Sequence, residues 1–201
     1  MYMDFQPIIQ LKLKEAFSDN SNFQKIKNIK DSLNELFECD NRGKLFAYDD
    51  ADIGHTVYIY NTKGLGSDRV FIILNKMHRD VFLWHIDGVL FKKNSKCDCA
   101  VLTNQELVFI EFKSEALNQT KEAIQTNYEK ASKQILITYK EVCERCNAVG
   151  VELVKMVQIK AFAVFNRSVP QNDALRKNLS AKFLMESKGV KLFFDNNTTI
   201  I

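Results

Sequence analysis

An α/β fold is predicted by three features of the chain. Two adjacent runs with strand character, Cys97–Thr103 (CDCAVLT) and Glu106–Lys113 (ELVFIEFK), are joined by a tight turn at Asn104-Gln105. A long helical period follows over Gln119–Cys146, with Ile124, Tyr128, Ala131, Ile135 and Val142 on one apolar stripe. A further strand run, Val157–Phe165 (VQIKAFAVF), precedes a third helical stretch, Asp173–Ser187, and a last strand, Val190–Phe194. Strands interleaved with amphipathic helices build a sheet covered by those helices.

Earlier in the chain, Phe23, Ile26, Ile29, Leu33, Leu36 and Phe37 recur at a helical period and predict a first helix over Asn22–Glu38, with Ser21 as its N-cap. Asp40-Asn41-Arg42-Gly43 ends it. Residues 44–80 read as a polar, turn-rich section with two strands, Thr56–Tyr60 and Val70–Leu74. The loop between them, NTKGLGSDR, reads as a hairpin tip, although its amides and cations suit a phosphate backbone. Its G-L-G lacks the remaining glycine and the strand-to-helix setting of a nucleotide fingerprint. Within Val81–Phe91, Asp87-Gly88 either closes a hairpin of its own or precedes a strand, Gly88–Phe91, that leads into the Asp98 run. His85, alone in an apolar run, reads as a core residue. A turn is expected at Val169-Pro170, and Gly189 is placed to close the third helix.

The whole chain of 201 residues is expected to form a single domain, 1–201, and its 46% hydrophobic content suits a packed core. A net charge of +3 excludes binding that rests on overall basicity and leaves room for a local basic patch. No apolar run approaches the ~20 residues that span a bilayer. The start, MYMDFQPIIQ, lacks a basic region followed by an apolar one, so a cytoplasmic location is expected. The five cysteines are then expected to be reduced. Cys97-x-Cys99 and Cys143-x-x-Cys146 admit a four-thiolate zinc site, but Cys97 and Cys99 read more simply as small hydrophobes on an apolar strand face.

The hairpin carries the chemistry. Its register sets Thr103 opposite Glu106, Leu102 opposite Leu107 and Asp98 opposite Glu111, and opposed residues share a sheet face. Lys113, two residues beyond Glu111, shares it too. Two carboxylates and an ammonium thus gather on one face, while Cys97, Cys99, Val101, Val108, Ile110 and Phe112 make the other face apolar. Two carboxylates hold a hard cation such as Mg2+ through oxygen at ~2.0–2.1 Å and leave positions for water and phosphate. An ammonium beside them orients the attacking water or stabilises a phosphoryl transition state. The competing reading is an ordinary strand with a solvated, charged face.

The element order, with Asp98 and Glu111-x-Lys113, resembles the PD-(D/E)xK superfamily, the restriction-endonuclease-like nucleases. The resemblance covers roughly residues 22–165 in element order and rests on those three residues in motif. It implies an αβββαβ core, with a central mixed β-sheet flanked by helices and here an extra β-hairpin between the first helix and the core strands. It implies that Asp98 and Glu111 bind Mg2+ (Mn2+ substituting), with the Phe112 carbonyl as a further ligand, and that Lys113 positions or activates water. Cys97 stands where many members carry proline. Glu35 and Glu38 do not match the helical glutamate of some members. Gln134 and Tyr139 are spaced one residue too far for the Q-x-x-x-Y of others.

These readings predict a Mg2+-dependent nuclease acting on nucleic acid, DNA above all, in a defence, restriction or repair role. Lys130 and Gln134, on the helix after the triplet, are candidate substrate contacts. Cutting both strands of a duplex is often the work of two active sites, which admits a homodimer or a partner protein. The alternatives are an interaction module that keeps the fold with idle carboxylates, and a zinc-stabilised interaction protein.

Overall fold

The computed structural model describes residues 12–13, 15–17, 37–50, 55–59, 70–87, 96–113, 120–166, 169 and 171–200. Their architecture is α/β. A six-stranded mixed sheet holds β1 (Phe37–Asp40), β5 (Val81–His85), β6 (Cys99–Leu102), β7 (Glu106–Lys113), β8 (Gln158–Phe165) and β9 (Lys191–Phe193), side by side in that order. The strands β1, β5, β6 and β7 pair antiparallel in turn. The strands β7, β8 and β9 are parallel. Parallel neighbours need a crossover, and the helices α1 (Lys121–Ala148) and α3 (Asp173–Glu186) supply the two. A short helix, α2 (Leu153–Met156), leads into β8.

A second sheet of four strands has the order β10 (Asn197–Thr199), β4 (Val70–Leu74), β2 (Lys44–Asp50) and β3 (His55–Ile59). The large sheet therefore has two covered faces. Ala100, Leu102, Leu107, Phe109, Ala161 and Ala163 pack under α1 with Tyr128, Ile135 and Tyr139. Val101, Val108, Ile110, Phe112 and Val164 pack on the other face against Leu45, Ala47, Phe71 and Ile73 of the second sheet. Burial on both faces explains why β7 is buried at every position but its last, and why it reads as an apolar run. Among the described residues, helices cover one face only.

The helical stripe predicted for α1 is the buried one: Ile124, Tyr128, Ala131, Ile135 and Val142 all line the first core. Thr120 caps this helix by accepting the Ala123 N–H at 3.3 Å. Asn172 caps α3 in the same way, taking the Leu175 N–H at 3.0 Å. The third helix ends at Glu186, where Ser187 is the cap and Lys188 already has φ +56°; Gly189 follows at φ +116° and donates to Leu184 O at 2.9 Å.

Several expectations are corrected. Phe37 and Glu38 lie in β1, not at the end of a helix; residues 22–36 of that predicted helix and the NTKGLGSDR loop lie outside the described residues. The strands β3 and β4 do not form a hairpin with each other, because β2 sits between them and pairs with both. The expected extra hairpin is thus part of a full second sheet, with β10 added at its edge. The strand alongside β6 is Val81–His85; Gly88–Phe91 lies outside the described residues. No helix among the described residues is long and apolar enough to cross a membrane.

Phe109 is fully buried at the centre of the first core, edge-on to Tyr139 with ring centroids 6.2 Å apart. Phe109→Ala is expected to lower the free energy of unfolding by about 3–5 kcal/mol, because the rigid strand cannot collapse into the space. Urea denaturation measures this. Met185→Ala, at a position 80% exposed, is expected to stay within about 0.5 kcal/mol of the parent.

Candidate metal centre

The register of the central hairpin is the predicted one: Leu102 opposes Leu107, Val101 opposes Val108 and Cys99 opposes Ile110. One step further would set Asp98 opposite Glu111 and then Cys97 opposite Phe112. The ladder stops short of that step. Asp98 forms a bend, and its backbone oxygen accepts the N–H groups of both Ile86 and Asp87 at 3.2 Å. Cys97 turns toward α1 and donates its N–H to the Thr138 hydroxyl at 2.9 Å. The side chain of Asp98 fills the place left in the ladder, its Oδ2 accepting the Phe112 N–H at 2.5 Å. Such a charge-assisted bond is short and strong. It fixes the Asp98 carboxylate at the end of β7, beside Glu111.

The bend also corrects the predicted faces. Cys99, Val101, Val108, Ile110 and Phe112 line the core between the two sheets as expected, but Cys97 lies in the core under α1. The two cysteines therefore point to opposite sides of the sheet, and Cys143 and Cys146 are on α1. These four thiols do not assemble around a zinc ion. Burial raises the thiol pKa of Cys97 and pushes that of Cys146 up to about 12, so both stay protonated as packed hydrophobes.

Glu111 is 1% exposed, which excludes the solvated-strand reading for this residue. Lys113 donates to its Oε1, and among the described residues its Oε2 is buried with no hydrogen-bond partner. Burial is the main cause that pushes the Glu111 carboxyl up to about 7; Lys113 opposes it, and the charges of Asp87 and Asp49 add to it. Burial likewise raises Asp98 well above the usual carboxylate range, with Glu111 and then Asp49 contributing and the Phe112 N–H opposing. Asp49, on β2, and Asp87, beside Asp98, are both exposed residues. Sequence reading missed Asp49, which comes from the second sheet, and read Asp87 only as part of a turn or of the approach to the Asp98 run.

The donors available to a cation are the Asp98 carboxylate, the Glu111 carboxylate and the Phe112 carbonyl. In a continued ladder the Cys97 N–H would bond that carbonyl, and it goes to Thr138 instead. No group of three or more His, Cys, Asp or Glu side chains among the described residues converges to hold a metal. Two carboxylates with a carbonyl suit Mg2+, which keeps several waters, better than a cation that needs a full protein cage.

The other candidates fall as follows. Gln134 is buried on α1, and its Nε2 donates to Lys96 O at 2.9 Å, so its amide serves the segment before Asp98. Lys130 is exposed on α1. Tyr139 donates its hydroxyl to Ser187 O at 3.0 Å, away from the carboxylates. His85 is buried in β5 opposite Cys99. Comparison with protein-family models, with curated proteins and with solved structures gave no match.

The raised Glu111 pKa makes stability pH-dependent. Its folded value, about 7, lies above the ordinary 4.5, so the fold binds the proton more tightly than the unfolded chain does. This contribution is complete below 4.5 and is lost as pH rises to about 7. Thermal melts in chelator are expected to show a falling midpoint across that window, and Glu111→Gln is expected to flatten the fall.

Proposed function

We propose that this protein is a metal-dependent nuclease of the PD-(D/E)xK type, hydrolysing phosphodiester bonds with Mg2+. The observation that carries the reading is the meeting of Asp98 and Glu111, both raised first by burial, Asp98 further by the charge of Glu111 and Glu111 by those of Asp87 and Asp49, beside the ammonium of Lys113. Such an arrangement is costly in a fold with no use for it. A divalent cation relieves that cost, since it keeps both carboxylates ionised. The strand order supports the same reading: an antiparallel β5–β6–β7 meander, then α1, then β8 parallel to β7, follows the βββαβ part of the expected core.

When bound, Mg2+ acidifies a water and neutralises charge on the scissile phosphate. The residues of the chain supply the rest. Asp98 is held by the Phe112 N–H, so its remaining oxygen lone pairs are directed without reorganisation. Glu111 offers Oε2 to the cation while Oε1 orients Lys113. The Lys113 ammonium, 15% exposed, is placed to hold the attacking water or the developing charge on phosphate. DNA is the proposed substrate, in a defence, restriction or repair setting. The idle-module alternative leaves the burial of Glu111 beside the half-buried Asp98 without a function.

Asp98→Ala and Lys113→Ala are each expected to abolish Mg2+-dependent cleavage with little change in fold. The assay offers circular and linear DNA and RNA, each with Mg2+, Mn2+ or chelator. Either variant cutting as fast as the parent would remove that residue from the site. Calorimetry with Mn2+ is the companion measurement: heat of binding in the parent that vanishes in Asp98→Ala is expected, and no binding by the parent would favour the interaction module.

A further inference from the structure

Two polar side chains on the buried side of α1, Gln134 and Thr138, and the half-buried Glu141 three residues further on, all act on the two residues that precede Asp98. Gln134 donates to Lys96 O at 2.9 Å, Thr138 accepts the Cys97 N–H at 2.9 Å, and Glu141 pairs with the Lys96 ammonium. Thr138 is fully buried, Lys96 is 3% exposed and Gln134 is 8% exposed. Buried polar groups need partners, and here the backbone of Lys96 and Cys97 supplies them to the Gln134 amide nitrogen and the Thr138 hydroxyl, while the Gln134 Oε1 has none among the described residues. Thr138 gains a second bond by donating to Gln134 O at 2.9 Å, so its hydroxyl is oriented with a lone pair toward Cys97.

Without these contacts the simplest course for the chain is to continue the ladder. Cys97 would pair with Phe112, its N–H bonded to the Phe112 carbonyl. The Asp98 carboxylate would lose the Phe112 N–H, and the carbonyl would be unavailable to a cation. We propose that Thr138, seconded by Gln134, is a positioning residue that draws residues 96–97 out of the sheet and thereby sets both the Asp98 carboxylate and the Phe112 carbonyl at the metal centre. Thr138 touches neither cation nor substrate. The inference rests on the metal-centre reading and assigns α1 the part of building that centre, a part distinct from contacting nucleic acid.

The test uses the full chain with Thr138→Val, which keeps the shape and removes the hydroxyl, and Thr138→Ser, which restores it. Gln134→Met is a milder variant should the valine protein fail to fold. Two readouts are taken on folded protein: the Phe112 amide resonance of 15N-labelled samples, with Val108 as the reference in the same strand, and Mn2+ affinity by calorimetry. The expected result for Thr138→Val is a displaced Phe112 resonance, an unmoved Val108 and Mn2+ affinity about tenfold weaker, equivalent to ~1.4 kcal/mol. Thr138→Ser should regain both, and Gln134→Met should shift both in the same direction by less. A Phe112 resonance unchanged in Thr138→Val overturns the inference, as does parental Mn2+ affinity in that variant; the metal centre survives either result. Failure of the parent itself to bind Mn2+ removes the metal centre and this inference with it. A merely structural role for Thr138 would lower the melting temperature and leave both readouts where they were.

Discussion

Everything at the candidate site depends on one substitution of partners, in which the Asp98 carboxylate takes the Phe112 N–H that backbone would otherwise take. A sheet ladder is cooperative and regular, so a side chain enters it only where the backbone has been led elsewhere. The lead is given by α1, through Thr138 and Gln134. The bend at Asp98 is stabilised from the other side too, since Ile86 and Asp87 both donate to its backbone oxygen. Three elements thus agree on the position of one carboxylate. A group fixed so firmly needs no rearrangement when charge develops beside it, which is the property that makes electrostatic catalysis effective.

The two-sided burial of the central sheet makes this precision possible and sets its electrostatic cost. With helices on one face and a second sheet on the other, β7 cannot tilt or slip, because a slip of one residue would turn its apolar side chains out of both cores. The same burial strips water from Glu111 and drives its carboxyl toward neutrality. A fold selected for stability alone would place an apolar residue there. Local conflict of this kind, in an otherwise consistent core, is the mark of a position kept for function.

The register of the central hairpin was legible because it follows from a two-residue turn and strict alternation, and both survive in the structure. The helix after it was legible because Ile124, Tyr128, Ala131, Ile135 and Val142 repeat at one period. What could not be read is instructive. Alternation places Cys97 with Cys99, and only the buried Thr138 hydroxyl explains why it lies on the other face. A polar residue on a buried helical stripe is a visible signal, but its partner is 41 residues away and has no local signature. The strands β1, β2 and β10 were missed for a related reason. They are short or carry polar residues, and pairing across long sequence separations, not local pattern, makes them strands. Asp49 entered the site unseen because it arrives on one of them.

The two ends of β7 show why the site is read as a cation centre and not as a buried ion pair. Each end carries a glutamate 1% exposed, and each has one carboxylate oxygen without a hydrogen-bond partner among the described residues. At the start of the strand, Glu106 meets Lys160 at 2.5 Å, one carboxylate to one ammonium, and the pair is complete in charge. At the end, Lys113 is set against Glu111 and Asp98 together, with Asp49 and Asp87 adding to the same negative field. An unpartnered oxygen alone therefore does not distinguish the ends; the imbalance of charge does. One ammonium does not balance the buried Glu111 and the half-buried Asp98 together, and a divalent ion would. The strand that begins with a structural ion pair ends in an excess of negative charge, which a proton relieves at low pH and which the proposed cation would relieve near neutrality.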